Sequence, residues 1–181
     1  MKLLLHICCA PCAIYPLKIL REAGMEVHGL FHNPNIHPYQ EFQRRLQTLE
    51  EYAATESLPL IVHHRYDLEE FIRLVVFREA QRCRFCYGLR LQMAAATARQ
   101  GKFDAFTTTL LYSRYQNHDL IRDIGQQAGQ ELGVSFYYAD FRPGWREGIE
   151  ESKRLGMYRQ QYCGCIYSEK ERYYKPRREK S

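Results

Sequence analysis

The sequence predicts a doubly wound α/β domain: a mostly parallel, Rossmann-like sheet with a cysteine-rich C-terminal segment. Three observations predict it. The chain opens on a short continuous apolar run, Lys2–Ile7, as a central strand buried on both faces requires. Further short apolar runs then alternate with stretches of helical period, the pattern of β–α–β crossovers. The chain has 181 residues, 45% of them hydrophobic, enough for one domain with a real core and no need of disulfides.

The elements follow in order. After Lys2–Ile7, Pro11 suits the first turn of a helix, and Ile14, Leu17 and Leu20 recur at helical spacing until Gly24. Glu26–His32 reads as a second strand, stopped by Asn33-Pro34-Asn35. Phe42, Leu46, Leu49 and Ala53 form the apolar stripe of the next helix, and Leu58–His63 a third strand. Asp67–Arg78 reads as a helix, as does Cys83–Ala98, with Cys86, Leu89, Met93 and Ala96 on one stripe. Phe103–Leu111 is a strand, Asp119–Leu132 a helix, Val134–Phe141 a strand, and Trp145–Leu155 a helix closed by Gly156. Residues 1–168 are expected to form one catalytic domain. Residues 169–181, with six Lys/Arg against three Glu, form a basic tail.

This topology places a site at the carboxyl ends of the strands. Cys8–Cys12 follow the first strand, Thr107–Thr109 and Ser113 lie at or beyond the end of the fourth, and Asp140 closes the fifth. These segments are expected to meet at one edge.

Seven cysteines fall in three tight groups: Cys8, Cys9 and Cys12; Cys83 and Cys86; Cys163 and Cys165. Such clustering in a reduced cytosolic chain points to metal or redox chemistry. Cys83 and Cys86 share one face of a helix turn, so both sulfurs reach one centre, and a helix N-terminus favours the thiolates. Cys8 and Cys9 share it only if the chain leaves the strand near Ile7, since extended neighbours point to opposite faces. Four thiolates satisfy an iron–sulfur cubane, while zinc is the structural alternative. The Cys163-Gly164-Cys165 pair closes a small strained ring, which suits a reducible redox pair; ligands to a second metal, or spare ligands to the same cluster, are the other readings.

Asp140 fits a metal ligand, a proton donor or a helix cap. In the tail, Arg172, Lys175, Arg177 and Arg178 interleave with Tyr173 and Tyr174, which fits phosphate contact with base stacking or a solvated end. The net charge of +5 allows a polyanion partner. Apolar runs fall far short of the roughly 20 residues a membrane helix needs, and the start resembles a signal core broken by His6. A cytoplasmic protein is expected.

Several blocks together resemble the QueH-type epoxyqueuosine reductases, from about Leu3 to Ser168. They are His6-Ile7-Cys8-Cys9-Ala10-Pro11-Cys12, Arg82-Cys83-Arg84-Phe85-Cys86-Tyr87, Phe106-Thr107-Thr108-Thr109-Leu110, Asp140-Phe141-Arg142 and Tyr158-Arg159-Gln160-Gln161-Tyr162-Cys163-Gly164-Cys165. The resemblance implies a sheet of the adenine-nucleotide-hydrolase-like (HUP) kind. It also implies cobalamin-independent reduction of the epoxide of epoxyqueuosine to the alkene, at the wobble position of a tRNA anticodon loop. By motif, Cys8, Cys9, Cys83 and Cys86 would hold a 4Fe–4S cluster and Cys163 and Cys165 would be the redox-active pair. An additional iron ion is implied nearby, with Cys12 and Asp140 as its candidate ligands, and an electron donor of unspecified identity. Two rival readings are a tRNA-thiolation enzyme and a zinc-stabilised RNA-binding module. The first wants a glycine-rich phosphate loop after the first strand, and Cys8–Cys12 contains no glycine.

Overall fold

The computed structural model describes residues 1–176. Five parallel strands lie in the order β3-β2-β1-β4-β5: β1 (Lys2–His6), β2 (Glu26–Phe31), β3 (Leu60–Val62), β4 (Ala105–Thr108) and β5 (Ser135–Phe136). The connecting helices are α1 (Ala10–Glu22), α2 (Tyr39–Thr55), α3 (Leu68–Val75), α4 (Arg82–Gln100) and α5 (His118–Leu132); α6 (Trp145–Arg154) and α7 (Ile166–Tyr173) follow the sheet. The alternating pattern therefore gives the doubly wound fold that it predicts.

Strands β1 and β4 carry the core. Leu3, Leu4, Leu5 and Phe106 are fully buried, each worth roughly 1.5–3 kcal/mol relative to exposure. The chain steps outward from β1 through β2 to β3, then returns to place β4 on the other side of β1. His6 pairs in register with both Leu30 and Thr108, so the three strands end level. The reversal of direction opens a crevice between the carboxyl ends of β1 and β4. At the far flank α5 comes very close to the strand it precedes: a Cβ on Gly129 would sit 2.5 Å from the Val134 carbonyl oxygen, so only glycine fits there.

Some boundaries differ from expectation, each for a local reason. The fourth strand stops at Thr108 rather than Leu111. The Thr108 hydroxyl accepts the Leu110 amide at 3.1 Å and caps a 3-10 turn over Thr109–Tyr112. Strand β5 keeps only two paired residues of the expected Val134–Phe141, opposite Ala105 and Phe106. Helix α3 ends at Val75, before Phe77 takes a positive φ of 60°. The buried stripe of α4 runs through Tyr87, Leu91, Ala94 and Ala98 rather than Leu89, Met93 and Ala96, because the helix turns a charged residue, Arg90, inward. The expected division between residues 168 and 169 falls inside α7, which continues directly from the last cysteine. Among the described residues no helix is long and apolar enough to cross a membrane.

Candidate active site: two sulfur groups at the sheet edge

The first group forms where β1 becomes α1. The amide of Ile7 makes the last ladder bond, to Leu30 O at 2.8 Å, and the chain then leaves the sheet. Cys9 is extended (φ −169°, ψ 157°) and stands at the N-cap of α1, with Pro11 in the first turn. That departure brings Cys8 and Cys9 Sγ to 3.8 Å, on the same side of the chain. Cys12, one turn into the helix, completes a trio of sulfurs within 4.8 Å of one another.

Neighbouring elements finish this group. Thr109, just past β4, accepts the Cys8 amide at 3.1 Å, and its hydroxyl reaches Cys8 Sγ at 3.4 Å. Gln160 Nε2 reaches Cys12 Sγ at 3.4 Å. Hydrogen bonds from Cys12 and Cys9, with help from Thr109 and Arg90, hold the Cys8 thiol well below its ordinary pKa. Burial pushes Cys9 up, and its bonds to Cys8 and Cys9 push Cys12 up. Of the three, Cys8 is therefore the thiol that gives up its proton most readily, beside the positive end of α1.

The second group gathers Cys83, Cys86, Cys163 and Cys165. Cys83 and Cys86 occupy the start of α4, the former exposed and the latter buried. Cys86 and Cys165 pack with Phe71 and Val75 in a small apolar cluster separate from the main core. Burial raises both α4 thiols, Cys86 to about 12. Cys163 is exposed and accepts from Gln116 Nε2 at 3.2 Å, while Gln116 Oε1 accepts from the Tyr87 hydroxyl at 2.7 Å.

The Cys163-Gly164-Cys165 loop is clamped by α2 and the segment before it. Arg45, 2% exposed, pairs with Glu41 at 2.7 Å and donates to Cys163 O at 2.9 Å and Tyr162 O at 3.0 Å. Tyr158 donates to the other Glu41 oxygen, and Tyr162 to His37 O. The His37 amide donates to Gly164 O at 2.8 Å. Gly164 has φ +152°, and a Cβ there would crowd Asn35, Ile36 and Arg45 at 3.1–3.4 Å. This is a fixed loop.

Between the groups lies Arg90, 1% exposed. It donates to Cys86 Sγ at 2.8 Å and Cys86 O at 3.1 Å, and among the described residues no carboxylate pairs with it. Burial opposes its charge, but Cys86, Cys163 and Cys8 together hold its pKa above the usual arginine value. A buried, carboxylate-free guanidinium calls for an anion beside it, and thiolates are the anions available.

Asp140 stands apart from both groups. Its carboxylate accepts from the Arg142 amide and side chain at 2.6–3.0 Å, and that contact holds its pKa below the ordinary value. Its bond to the Arg142 amide lies at the start of the short turn Arg142–Gly144, and the Arg142 contact favours its anionic form over that of a proton donor. In the tail, Arg172 and Lys175 are exposed on or just after α7, which is tied back by Arg82–Glu171 and by Tyr162 against Tyr173 at 6.5 Å. Arg177 and Arg178 lie outside the described residues.

Sequence reasoning assigned no role to Arg45, Arg90, Gln116 or Gln160, and placed Thr109 at the site's edge without a contact to the sulfurs. Two of these carried a signal: Glu41/Arg45 and Cys86/Arg90 are both i, i+4 pairs on helices.

Comparison with known proteins agrees with this geometry. Two solved structures share the fold. One is a U34-tRNA thiolase, NcsA, from Methanococcus maripaludis with its [4Fe-4S] cluster (TM-score 0.60, 13% identity, 93% of this chain and 61% of that one). The other is a predicted tRNA methyltransferase subunit from Methanocaldococcus jannaschii (TM-score 0.55, 11% identity, 84% of this chain and 74% of that one). Closer in sequence are proteins named epoxyqueuosine reductase QueH. That of Dehalococcoides mccartyi is 39% identical over 97% of this chain and 96% of its own length. That of Thermotoga maritima is 34% identical over 93% and 91%. Residues 3–171 match the family described as Epoxyqueuosine reductase QueH, spanning every cysteine and both sulfur groups, and the chain belongs to that family.

Proposed function

We propose that this chain reduces the epoxide of epoxyqueuosine in tRNA to the alkene of queuosine, with Cys163 and Cys165 as the immediate source of electrons. The observation that supports it most is the convergence of seven free thiols in two groups around one buried, carboxylate-free arginine. Opening the epoxide to an alkene takes up two electrons and two protons and releases one water. Oxidation of one dithiol to a disulfide yields two electrons and two protons, so the exchange balances. A reductant from outside the chain must then restore the dithiol.

The donor set fits an iron–sulfur cluster. Soft thiolates suit iron and sulfide, and Arg90 offsets the negative charge that four thiolates and a cluster bring. In this reading Cys8, Cys9, Cys83 and Cys86 would hold a 4Fe–4S cluster, and Cys12 is the residue available to an additional iron, since Arg142 engages both oxygens of Asp140 away from the sulfurs. When bound, these groups supply one-electron transfer and a Lewis acid for the epoxide oxygen.

The chain's own residues do the rest. Gln116, fixed by Tyr87, directs an N–H at Cys163 Sγ and holds that sulfur in place. Arg45 keeps the loop carbonyls, and hence both sulfurs, in one place. Cys163 is open to substrate and reductant while Cys165 is covered, which suits an attacking and a resolving thiol. Arg172 and Lys175 face solvent, as phosphate contacts to tRNA need. A tRNA substrate implies a cytoplasmic enzyme.

Nucleoside analysis of tRNA tests the reading. In a strain where this chain is the sole candidate reductase, its deletion should accumulate epoxyqueuosine. Unchanged queuosine would overturn it. Iron and acid-labile sulfide per chain, purified anaerobically, separates iron–sulfur from zinc.

A further inference from the structure

One exposed patch beside the sulfurs takes no part in that chemistry. Tyr115, in the loop after the 3-10 turn, is 85% exposed. Its ring meets Trp145 edge-on at 5.8 Å, and Tyr112 lies against the same indole at 5.2 Å with its ring tilted 31°. The Arg114 guanidinium lies 5.8 Å from the Trp145 ring. Arg159, from a second segment, acts with Arg114 as a positive charge on the Tyr112 hydroxyl that underlies the patch.

The location is as informative as the composition. Tyr115 directly precedes Gln116, which touches Cys163 Sγ. Arg159 directly precedes Gln160, which touches Cys12 Sγ. Each side of the patch is therefore one residue from a sulfur contact, one in each group. An exposed ring beside a guanidinium offers a partner both a stacking face and a positive charge. An unpaired nucleotide matches both, with a flat apolar ring to stack and a phosphate for arginine.

We propose that Tyr115, Trp145, Arg114 and Arg159 form the receiving surface for an unstacked RNA loop nucleotide, holding its base and flanking phosphates over the sulfur groups. The proposal rests on the tRNA reading above and adds the residues that seat the loop.

Trp145 is the chain's one tryptophan, so its emission reports on the patch directly. The probe is an unmodified RNA hairpin with a single-stranded loop, compared with a blunt duplex of the same stem. The hairpin should quench Trp145 and the duplex should not. Tyr115→Ala should weaken hairpin binding by roughly 5- to 100-fold, the span of one lost base–aromatic stack, while Tyr115→Phe keeps it. Arg114→Gln should lower the log–log salt slope by about 0.7, one single-strand phosphate contact. Parental affinity in Tyr115→Ala, or equal quenching by the duplex, would overturn the proposal. So would emission that ignores the hairpin and responds to a small acidic electron-transfer protein. Nucleoside analysis separates the two readings. Epoxyqueuosine reduction with a silent patch removes this proposal alone, and hairpin binding through the patch without reduction removes the other.

Discussion

Cys8, Cys9 and Cys12 are positioned by secondary structure, whereas Cys163 and Cys165 are positioned by side chains from far along the chain. The first group needs only the end of β1, the N-cap of α1 and one helical turn. The second has no strand beneath it. It depends on Arg45, Glu41 and His37, more than a hundred residues away in sequence. The first group lies in the main core, and the second joins a small satellite cluster with Cys163 exposed. The difference matches the two tasks proposed for them: a ligand platform should not move, and a redox pair must meet substrate and reductant in turn.

The largest expected effect breaks the two apart. Cys163→Ser should lower multiple turnover by roughly 1,000-fold or more, the scale of a lost covalent participant, while bound iron stays at the parental level. Cys9→Ser should instead deplete the iron. Equal iron loss in both variants would show that Cys163 is a ligand and erase the distinction.

Arg45→Ala sharpens it. Removing one partner of a buried ion pair costs about 3–5 kcal/mol, so the melting temperature should fall clearly. Under native conditions the cysteines of the loop should be alkylated faster, with Cys9 and Cys12 still protected. Uniform deprotection would mean that the clamp serves the whole domain.

Acid should loosen the second group through His37. Burial lowers its pKa to about 4 from 6.5, with the Pro34 carbonyl acting weakly the other way. The unfolded chain then binds the proton first, so stability is full above pH 6.5 and falls as the pH drops toward 4. At pH 5.5 the loss is about 1.4 kcal/mol. The gap between urea midpoints at pH 7.5 and 5.5 should narrow in His37→Gln, the remainder belonging to His6 and His32, which burial lowers in the same way.

The smallest effect belongs to Asp140. Its contact with Arg142 is half exposed and worth under about 1 kcal/mol. Because the folded pKa is depressed, that contribution is present above the ordinary 3.8 and disappears as pH falls through the folded value. Asp140→Asn should therefore differ from the parent in melting temperature at pH 7, and the difference should shrink as the pH falls below 3.8.

The same contrast explains what was legible in the sequence. The parallel sheet and the departure at Cys8 could be read because they rest on periodicity and on proline. The stripe of α4 was misread by one position, since Arg90 counts as a surface residue by type and is buried here for its sulfur neighbours. Arg45 was hidden for the same reason. Helix α7 was taken for a tail because its charge outweighs its short apolar content, and its anchor, Arg82–Glu171, joins residues 89 apart. No local pattern encodes such contacts.

The crevice between β1 and β4 also has a consequence for how the protein matures. Cys8 meets Thr109 across 101 residues, and Cys12 meets Gln160 across 148. Contacts so distant in sequence close late, after the entropy of long loops has been overcome. Until those contacts close, Cys8, Cys9 and Cys12 lack the neighbours that enclose them. On the proposed reading, cluster assembly therefore follows the docking of the Thr109 and Gln160 segments, and before it these three thiols stand open to oxidants.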